Sequence, residues 1–416
     1  MANTGPRNVT VIGAGIVGTA TAIYLLREGH KVTLIERNEP GKATSFGNLG
    51  GISPGSVVPV ATPGMLKQIP KWLLDPEGPL FVRWYYLPQV MPWLIKFLMA
   101  GQRDRVYGIS KALSALNGPT FDAYQPLLKA AGVEHLFHRT GQLFLYQSDE
   151  SRKKDALGIE LRNLTGQRCD VLNKDEIRQL EPALAPVFES AILMPDHGHC
   201  KNPFGLVQAL AQLFTRSGGT YLNREVRGFE MGPNGPTKLR TDQGDVPVED
   251  VVIAGGAWSN VLTKQLGHSV PLESHRGYHV TVEDPGFVPR IMCFPVEHKF
   301  AITPMEMGLR IGGTVELAGL DAEPNYERAR VLLRMGQRLI PGLKADKFTE
   351  WMGHRPCHPD SLPVIGASPK WKNVFFAFGH GHQGLLGASQ TGKALSELMS
   401  GKPVSMDLTP FRVDRF

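Results

Sequence analysis

Short apolar runs that lead directly into glycine mark the beginning, the middle and the end of this chain. At the beginning, Val9–Ile12 is followed by the glycine-rich turn Gly13–Gly18 and by TATAIYLLREGH, in which apolar side chains recur at helical spacing. A second run, Lys31–Glu36, ends in an acidic residue. The pattern predicts a strand, turn, helix and strand with a right-handed crossover.

Two later runs have the same form. Val251–Ala254 precedes Gly255-Gly256, and Val374–Phe378 precedes the turn GHGHQG and a helical stretch. Between them, short segments bounded by proline and glycine have the pattern of antiparallel strands: 279–282, 300–304 and 309–312. Strand–turn–helix units typical of a parallel sheet thus lie at the start, middle and end of the chain, and two inserts that mix helices and antiparallel strands separate them. This order predicts an α/β protein whose domains are discontinuous in sequence.

The segment Leu80–Ala100, LFVRWYYLPQVMPWLIKFLMA, is the most apolar part of a mainly helical region from Pro63 to about Ala131. Two prolines and the cations Arg83 and Lys96 interrupt it, which disfavours a helix that spans a membrane. The pattern predicts a pair of short helices packed on the core. An amphipathic contact with a membrane surface is the alternative.

Composition narrows the class of protein. With 416 residues, of which 42% are hydrophobic and 20% charged, the chain fits two packed globular domains. The net charge of +6 comes from scattered cations, which is not the footprint of a nucleic-acid-binding protein. Four widely spaced cysteines suggest neither a disulfide framework nor a metal site, and the first apolar run is too short for a signal peptide. We therefore expect no metal and a cytoplasmic location.

The turn Gly13–Gly18 has the form GxGxxG, in which each glycine has a physical purpose. The first permits a tight turn, the second lets the backbone approach a pyrophosphate, and the third lets the helix pack closely on the strand. Glu36 lies about 20 residues further on, where an acid accepts hydrogen bonds from a ribose. The motif indicates a dinucleotide, and the irregular loop Lys42–Ser56 together with the distant strand VVIAGGAW favours FAD over NAD.

Several motifs in order give the chain a family resemblance. They are GAGIVG with Glu36, TSFGNLGGISPGS, VVIAGGAWS, HRGYHVTV, HRPCHPDSLPVIG and FGHGHQGLLGASQTG. With these the sequence resembles the D-amino-acid oxidase and glycine oxidase family of flavoenzymes, and within it the bacterial D-amino-acid dehydrogenases. The resemblance implies a Rossmann-like, glutathione-reductase-type FAD domain (1–62, 190–264 and 350–416). It also implies a discontinuous α+β substrate domain built on an antiparallel sheet (63–189 and 265–349).

The same resemblance implies which residues hold FAD. The ADP half would lie against Gly13, Ala14, Gly15, Ile16, Val17, Gly18, Glu36 and Arg37, with the adenine at the backbone of Val226. The flavin ring and the rest of the cofactor would contact Thr44, Ser45, Asn48, Leu49, Gly50, Gly255, Trp258, Gly381, His382, Gln383, Gly384 and Leu385. Amides at the start of the last helix would face the flavin N1 and C2 carbonyl, where reduced flavin is negative.

For the substrate, the resemblance implies that Arg355 grips a carboxylate. A guanidinium offers a permanently charged, bidentate fork that fixes the α-carbon against flavin N5. Tyr278 and Arg276, on the HRGYHVTV strand, match positions near the substrate in some relatives. Hydride would pass from the α-carbon to N5, and water would hydrolyse the resulting imine.

The expected function is therefore FAD-dependent oxidation of a small D-amino or imino acid, with electrons passed to a quinone or another carrier. One alternative is an oxidase that releases peroxide, as in glycine, sarcosine or D-amino-acid oxidation. Another is the flavin subunit of a heteromeric dehydrogenase, for example one that acts on hydroxyproline. If the protein is a dehydrogenase, we expect a peripheral contact with the inner face of the plasma membrane. The sequence does not identify which amino or imino acid is the substrate.

Overall fold

The computed structural model describes residues 5–416, which form a mixed α/β fold. Its strands, in chain order, are β1 Asn8–Ile12, β2 Lys31–Glu36, β3 Gly51–Ile52, β4 Leu80–Val82, β5 Phe137–His138, β6 Gln142–Tyr146, β7 Asp170–Asn173, β8 Ser190–Met194, β9 Gly198–Cys200, β10 Thr220–Asn223, β11 Val226–Gly232, β12 Gly235–Thr241, β13 Val246–Pro247, β14 Asp250–Ile253, β15 Glu273–Val282, β16 Met292–Pro295, β17 Phe300–Met305, β18 Gly308–Leu317, β19 Phe348–Cys357, β20 Val364–Ala367 and β21 Val374–Phe378. Its α-helices are α1 Ile16–Arg27, α2 Ile69–Leu74, α3 Leu87–Ala100, α4 Arg103–Asn117, α5 Thr120–Ala131, α6 Asp149–Lys154, α7 Ala156–Leu164, α8 Lys174–Leu180, α9 Pro203–Arg216, α10 Ser259–Gln265, α11 Glu327–Leu339 and α12 Gly384–Met399.

A six-stranded sheet has the order β10-β2-β1-β14-β21-β20, and every neighbouring pair is parallel except β20 with β21. Helices α1, α9 and α12 cover one face, and side chains such as Leu25, Leu34 and Phe214 are fully buried there. Helix α12 approaches α1 so closely that a Cβ on Gly392 would lie 2.9 Å from the Thr21 amide nitrogen. Because β1, β14 and β21 are parallel, the glycine turns that follow them meet at one edge of the sheet.

The second large sheet has nine strands in the order β19-β15-β18-β17-β16-β6-β8-β7, with β4 added beside β18. Most neighbours are antiparallel, and β16 with β6 and β18 with β4 are parallel. Helix α11 packs on one face over a core that includes Tyr278, Val280 and Ile311. The ten-residue strands β15 and β19 pair along their whole length, from Glu273 opposite Cys357 to Val282 opposite Phe348.

The predicted fold class is confirmed, and so is the opening strand, helix and strand. Leu80–Ala100 differs from the prediction of two short helices. The segment begins as β4, passes through a 3-10 turn at Trp84–Tyr86 and continues as the single helix α3, which contains Pro92. The cause is the pairing of β4 with the distant strand β18, which no local pattern encodes.

Two segments that the sequence assigned to the FAD domain pair within the nine-stranded sheet. Ser190–Met194 hydrogen-bonds to β6 and β7, and Phe348–Cys357 hydrogen-bonds to β15. In addition, α5 packs against α12 and α9 although it falls in the predicted substrate domain. The division into two discontinuous domains stays a prediction, and its boundaries near 190 and 350 do not coincide with the sheets.

No helix within residues 5–416 is both long enough and apolar enough to cross a lipid bilayer.

Candidate functional site

The first turn, between β1 and α1, is tight because glycine alone can adopt its geometry. Gly13 has φ +107°, and a Cβ there would lie 2.5 Å from the carbonyl oxygen of Ala254. A Cβ on Gly18 would lie 1.9 Å from the Gly13 carbonyl oxygen. The strand and helix therefore leave no room for side chains at these positions, and the backbone of the turn stays open to a ligand.

Glu36 is held rigidly at the end of β2. Its carboxylate accepts hydrogen bonds from the Ala14 amide, at 2.9 Å, and from the Asn38 amide, at 3.0 Å. Two backbone bonds leave further lone pairs on the carboxylate for a ligand hydroxyl. The acid therefore faces the glycine turn in the position that a ribose would need.

The turn and Glu36 border a cleft of about 390 Å³ along the carboxyl edge of the six-stranded sheet. The predicted cofactor residues that line it are Gly13, Gly15, Ile16, Val17, Glu36, Arg37, Thr44, Ser45, Asn48, Val226, Gly255, Trp258, Gly381, Gly384 and Leu385. The predicted residues that lie beside it without forming its surface are Ala14, Gly18, Leu49, Gly50, His382 and Gln383. The structure thus brings most of the predicted set to one surface.

Sequence reasoning missed other residues of the cleft. They include Ala43, Arg224, Glu225, Arg227, Gly256, Val261, Pro356 and His380. Residues 224–227 follow β10, whose parallel pairing with β2 places its end beside Glu36, and this could have been inferred from the parallel-strand rule. Pro356 had no such signal, because it reaches the cleft through the nine-stranded sheet.

One end of the cleft is aromatic and cationic. The Arg37 guanidinium lies 4.4 Å from the centre of the Trp258 ring and 3.5 Å from a carboxylate oxygen of Glu225. The Trp258 ring in turn meets His354 edge to face, with ring centres 5.2 Å apart. A flat, partly cationic surface of this kind suits an adenine ring.

The other end of the cleft is formed by the turn from β21 to α12. Gly379 and Gly381 have φ +83° and +58°, and the Gly381 amide donates to the Pro356 carbonyl at 2.7 Å. No side chain caps the N-terminus of α12, so the amides of Gly384 and Leu385 lie at the surface of the cleft. A 16-residue helix directs the positive end of its dipole at this point, where negative charge is stabilised.

These features fit FAD. The glycine turn Gly13–Gly18, in which a Cβ would clash, suits the pyrophosphate, and Glu36 suits the ribose. The N-terminus of α12 suits the part of the flavin ring that becomes negative on reduction. Within residues 5–416, no group of three His, Cys, Asp or Glu side chains is arranged to hold a metal ion.

Arg355 lies next to the cleft, on β19. Its guanidinium donates to the carbonyl oxygens of Thr314, at 2.8 Å, and Gly313, at 3.2 Å. Gly277 makes room for it, since a Cβ there would lie 2.2 Å from the guanidinium carbon. Burial lowers the pKa of Arg355, and no carboxylate among residues 5–416 lies within ion-pair distance. A half-buried guanidinium without a carboxylate partner has donors left over for an anion.

Tyr278 and Arg276 are not brought to Arg355. Arg276 is fully buried, lies 3.4 Å from a carboxylate oxygen of Glu316 and donates to the Ala322 carbonyl at 2.6 Å. The Tyr278 hydroxyl donates to the same carboxylate in a short hydrogen bond. Successive side chains of a strand point to opposite faces, and Arg355 stands opposite His275, so these two residues belong to the other face. Their predicted role toward the substrate stays a prediction that this geometry does not favour.

Comparison with known proteins adds independent evidence. A family model described as FAD dependent oxidoreductase, DAO, matches residues 8–398. A protein of Bradyrhizobium diazoefficiens named D-amino-acid oxidase is 40% identical over 419 residues, which cover 99% of each chain. A protein of Paramagnetospirillum magneticum named D-amino acid dehydrogenase is 32% identical over 428 residues, with 98% of each chain covered. The crystal structure of glycine oxidase from Geobacillus kaustophilus superposes with a TM-score of 0.74 at 22% identity, covers 99% of each chain and supports the fold.

Proposed function

The chain belongs to the DAO family of FAD-dependent oxidoreductases, and on that premise we propose that it oxidises the α-carbon of a small D-amino or D-imino acid. The observation that carries the proposal is the unpaired guanidinium of Arg355 beside the cofactor cleft. It calls for an anionic substrate, and the relatives named D-amino-acid oxidase and D-amino acid dehydrogenase support an amino acid.

Bound FAD supplies the two-electron oxidation of the α-carbon. The chain itself supplies orientation. Arg355, anchored on the carbonyls of Gly313 and Thr314, would hold the substrate carboxylate bidentately and so limit where the α-carbon can lie. The paired strands β15 and β19 form the wall behind the guanidinium, and every residue of β15 is buried.

The test is to add candidate substrates to the purified holoenzyme without oxygen and to monitor flavin reduction as a loss of flavin absorbance. We expect bleaching by small D-amino acids or D-imino acids, and none by their L-enantiomers. Glycine and sarcosine belong in the same panel because they separate a requirement for a side chain from a requirement for configuration. If no amino or imino acid bleaches the flavin, the proposal is wrong.

We propose further that the electrons go to a lipid-soluble quinone, which makes the enzyme a dehydrogenase. Relatives at 29% to 32% identity named D-amino acid dehydrogenase support this. The 40% identical relative named D-amino-acid oxidase supports the second candidate, transfer to oxygen. Stopped-flow reoxidation of the reduced enzyme decides between them. Fast reoxidation by a water-soluble ubiquinone analogue, with little peroxide in air, is expected, whereas stoichiometric peroxide would favour the oxidase.

An exposed apolar surface supports access to a quinone from a membrane. On α3 the side chains of Leu87, Met91, Ile95 and Met99, spaced four residues apart, are each at least 40% exposed. The adjoining turn exposes Trp84 at 84%. Helix α3 contains no acidic residue, and exposed lysines at 67, 71 and 96 accompany the surface. Apolar, aromatic and cationic side chains together are typical of a contact with an anionic bilayer.

Vesicle flotation tests the membrane contact. We expect the protein to float with vesicles that contain phosphatidylglycerol and to stay at the bottom with phosphatidylcholine alone. The double variant Ile95→Asp, Met99→Asp should abolish flotation while leaving substrate reduction of the flavin unchanged. Leu164→Asp, at another exposed leucine, is the matched control and should float. Equal flotation of both variants would refute this surface.

A further inference from the structure

A strained threonine interrupts strand β18 where it passes the Arg355 site. One residue of β15, Gly277, faces two residues of β18, Thr314 and Val315, so β18 is bulged here. Thr314 is buried and has φ +53°. In a bulge the left-handed position normally belongs to glycine, because a β-branched residue is strained there. The surrounding structure must therefore impose the conformation of Thr314.

The bulge turns two consecutive carbonyl groups toward one guanidinium. In a regular strand, neighbouring carbonyls point to opposite sides, so one side chain does not reach both. Here Arg355 donates to the Gly313 carbonyl at 3.2 Å and to the Thr314 carbonyl at 2.8 Å. These bonds use two of the five N–H groups of the guanidinium and leave donors for a carboxylate. The backbone at Thr314 thus determines how the guanidinium is tilted.

A second arginine holds the threonine from the other side. Arg328, which is buried on α11, donates to the Thr314 hydroxyl from Nη2 at 2.9 Å and from Nε at 3.3 Å. The same guanidinium donates to the carbonyls of Pro76, at 3.2 Å, and Gly78. These four hydrogen bonds join α11, the segment before β4 and the bulge.

The neighbouring strands fix the bulge as well. The Val315 amide donates to the Pro79 carbonyl at 2.7 Å, and β4 continues from there in parallel with β18. This pairing opposes a shift of register at the bulge. On the β15 side, a Cβ on Gly277 would lie 2.2 Å from the guanidinium carbon of Arg355. The missing side chain lets the guanidinium cross β15 and reach the bulge.

We propose that Thr314 is a positioning residue: its left-handed backbone, locked by Arg328, sets the orientation in which the Arg355 guanidinium meets a carboxylate. The identity of that carboxylate rests on the proposed amino-acid substrate. A bidentate pair needs both partners nearly in one plane, so a change in tilt weakens it. A strand relaxed at this point would aim one of the two carbonyls away from the guanidinium.

Three substitutions at Thr314 separate the backbone from the hydroxyl. Thr314→Ser keeps the hydroxyl, Thr314→Gly loses it but adopts a positive φ freely, and Thr314→Val loses it while keeping the shape and the strain. By calorimetry on the holoenzyme, we expect the affinity for propionate to fall about twofold in Thr314→Ser, about fivefold in Thr314→Gly and about 50-fold in Thr314→Val. If only packing mattered, Thr314→Val would be the mildest loss, because its shape is closest. Binding by Thr314→Val that equals or exceeds binding by Thr314→Gly would overturn the proposal.

Propionamide, the uncharged counterpart of propionate, controls for the shape of the pocket. Its affinity should stay within about twofold in all three variants, because it does not need a bidentate guanidinium. Equal weakening of both ligands in Thr314→Val would mean general damage to the site and would refute the role of Thr314. If Thr314→Val does not fold, Thr314→Asn and Thr314→Ala replace it. Asparagine tolerates the left-handed region better than alanine, so Thr314→Asn should bind propionate more tightly, and the reverse order would contradict the proposal.

Thr303→Val is the matched control on the neighbouring strand β17. Thr303 is fully buried, and its hydroxyl has no hydrogen-bond partner among residues 5–416. It should bind propionate like the wild type, and a loss as large as that of Thr314→Val would count against a specific role for Thr314.

Turnover separates this proposal from the proposed function. We expect kcat/KM for a D-amino acid to follow the same order as the propionate affinities. If D-amino acids reduce the wild type and all three variants bind propionate alike, the role of Thr314 is wrong and the proposed function stands. If no amino acid reduces the wild type, the proposed function fails, and the order of propionate affinities still decides whether Thr314 positions Arg355. A wild type that does not bind propionate would refute the role of Thr314.

Discussion

The cofactor cleft and the site around Arg355 adjoin each other but are built in different ways. The cleft is made largely of backbone: glycine turns after β1, β14 and β21, an acid fixed by two amides, and the open N-terminus of α12. The Arg355 site is made of side chains held by strand register, with His275 opposite the arginine and Gly277 leaving space for it. Short stretches of sequence therefore encode the cofactor cleft. The Arg355 site depends instead on the pairing of two strands about 80 residues apart in sequence.

The difference predicts how each region responds to substitution. In the cleft, a single added methyl group meets the main chain, which cannot move without disturbing the sheet. Around Arg355, loss of one side chain leaves the sheet intact and removes one charge from a ligand site. The first kind of change should abolish cofactor binding, and the second should alter chemistry in an enzyme that still carries its cofactor.

The largest effect is expected from Gly13→Ala. The new Cβ would lie 2.5 Å from the Ala254 carbonyl oxygen at φ +107°. We expect FAD affinity to fall by at least about 100-fold, or about 3 kcal/mol, measured as flavin retained on purification and by titration. Gly29→Ala is the matched control, because Gly29 has φ +88° but nothing within 4 Å of an added Cβ. It should lose about 1–2 kcal/mol of stability and keep its FAD. Equal FAD loss in both would mean that backbone strain, and not the close approach, matters.

The sequence predicted this region well because its signals are local. Glycine at 13, 15 and 18 can be interpreted without knowing the fold, and the strands Lys31–Glu36 and Val374–Phe378 follow directly from apolar runs that end at a turn. The residues it missed, such as Arg224 and Pro356, reach the cleft through pairing with another strand. Local periodicity carries no information on such pairing.

The second effect concerns Arg355→Met, which tests the side-chain site directly. Loss of a bidentate, half-buried charge should lower kcat/KM for a D-amino acid by about 1000-fold, or about 4 kcal/mol, with FAD content unchanged. Arg330→Met is the control, since Arg330 forms an exposed ion pair with Glu350 of the same strand at 2.9 Å. Such pairs contribute little, so its kcat/KM should stay close to that of the wild type. A normal kcat/KM in Arg355→Met would remove the basis of the proposed function.

The substrate side could be predicted only in part, for a physical reason. Arg355, Arg276 and Tyr278 all lie on two paired strands. The family resemblance gives Arg355 the substrate carboxylate, and it matches Arg276 and Tyr278 to positions near the substrate in some relatives. Strand alternation places Arg276 and Tyr278 on the face opposite to Arg355, where both contact Glu316. Arg83 completes this network, with its guanidinium 2.8 Å from a carboxylate oxygen of Glu316. The face that a strand residue takes depends on register and on the bulge between Arg276 and Tyr278, neither of which a motif reveals.

The third effect, Glu316→Gln, asks whether that network is structural. Glu316 is fully buried between two guanidinium groups, so removing its charge should lower the free energy of unfolding by about 3 kcal/mol, measured by thermal and denaturant melts. Flavin reduction by substrate should change little at a temperature where the variant is folded. Glu327→Gln, in an exposed pair with Arg334, should melt like the wild type. If Glu316→Gln kept its stability and raised KM, Arg276 and Tyr278 would act on the substrate after all.

The smallest effect is a pH dependence within the same sheet. Glu273 accepts hydrogen bonds from the Tyr86 hydroxyl, at 3.0 Å, and from the Ser274 amide, at 3.1 Å. Burial nevertheless raises its pKa from 4.5 to about 7. The native state therefore holds this proton more tightly than the unfolded chain, so the carboxyl contributes stability in full below pH 4.5 and loses it as pH rises through about 7.

Buried neutral histidines act in the opposite direction, since their native pKa values are lowered and the native state loses stability as pH falls below 6.5. The difference between Glu273→Gln and the wild type isolates the carboxyl from them. Relative to the wild type, the variant should gain about 2–3 kcal/mol of stability between pH 5 and pH 8.5. Glu39→Gln is the control and should show no such gain. Glu39 is exposed, and its carboxylate lies 3.7 Å from the Lys42 ammonium nitrogen. If the difference in unfolding free energy between Glu273→Gln and the wild type did not change with pH, the buried carboxyl would be charged at neutral pH. Glu273 would then no longer contrast with Glu36, whose carboxylate is held by two backbone amides.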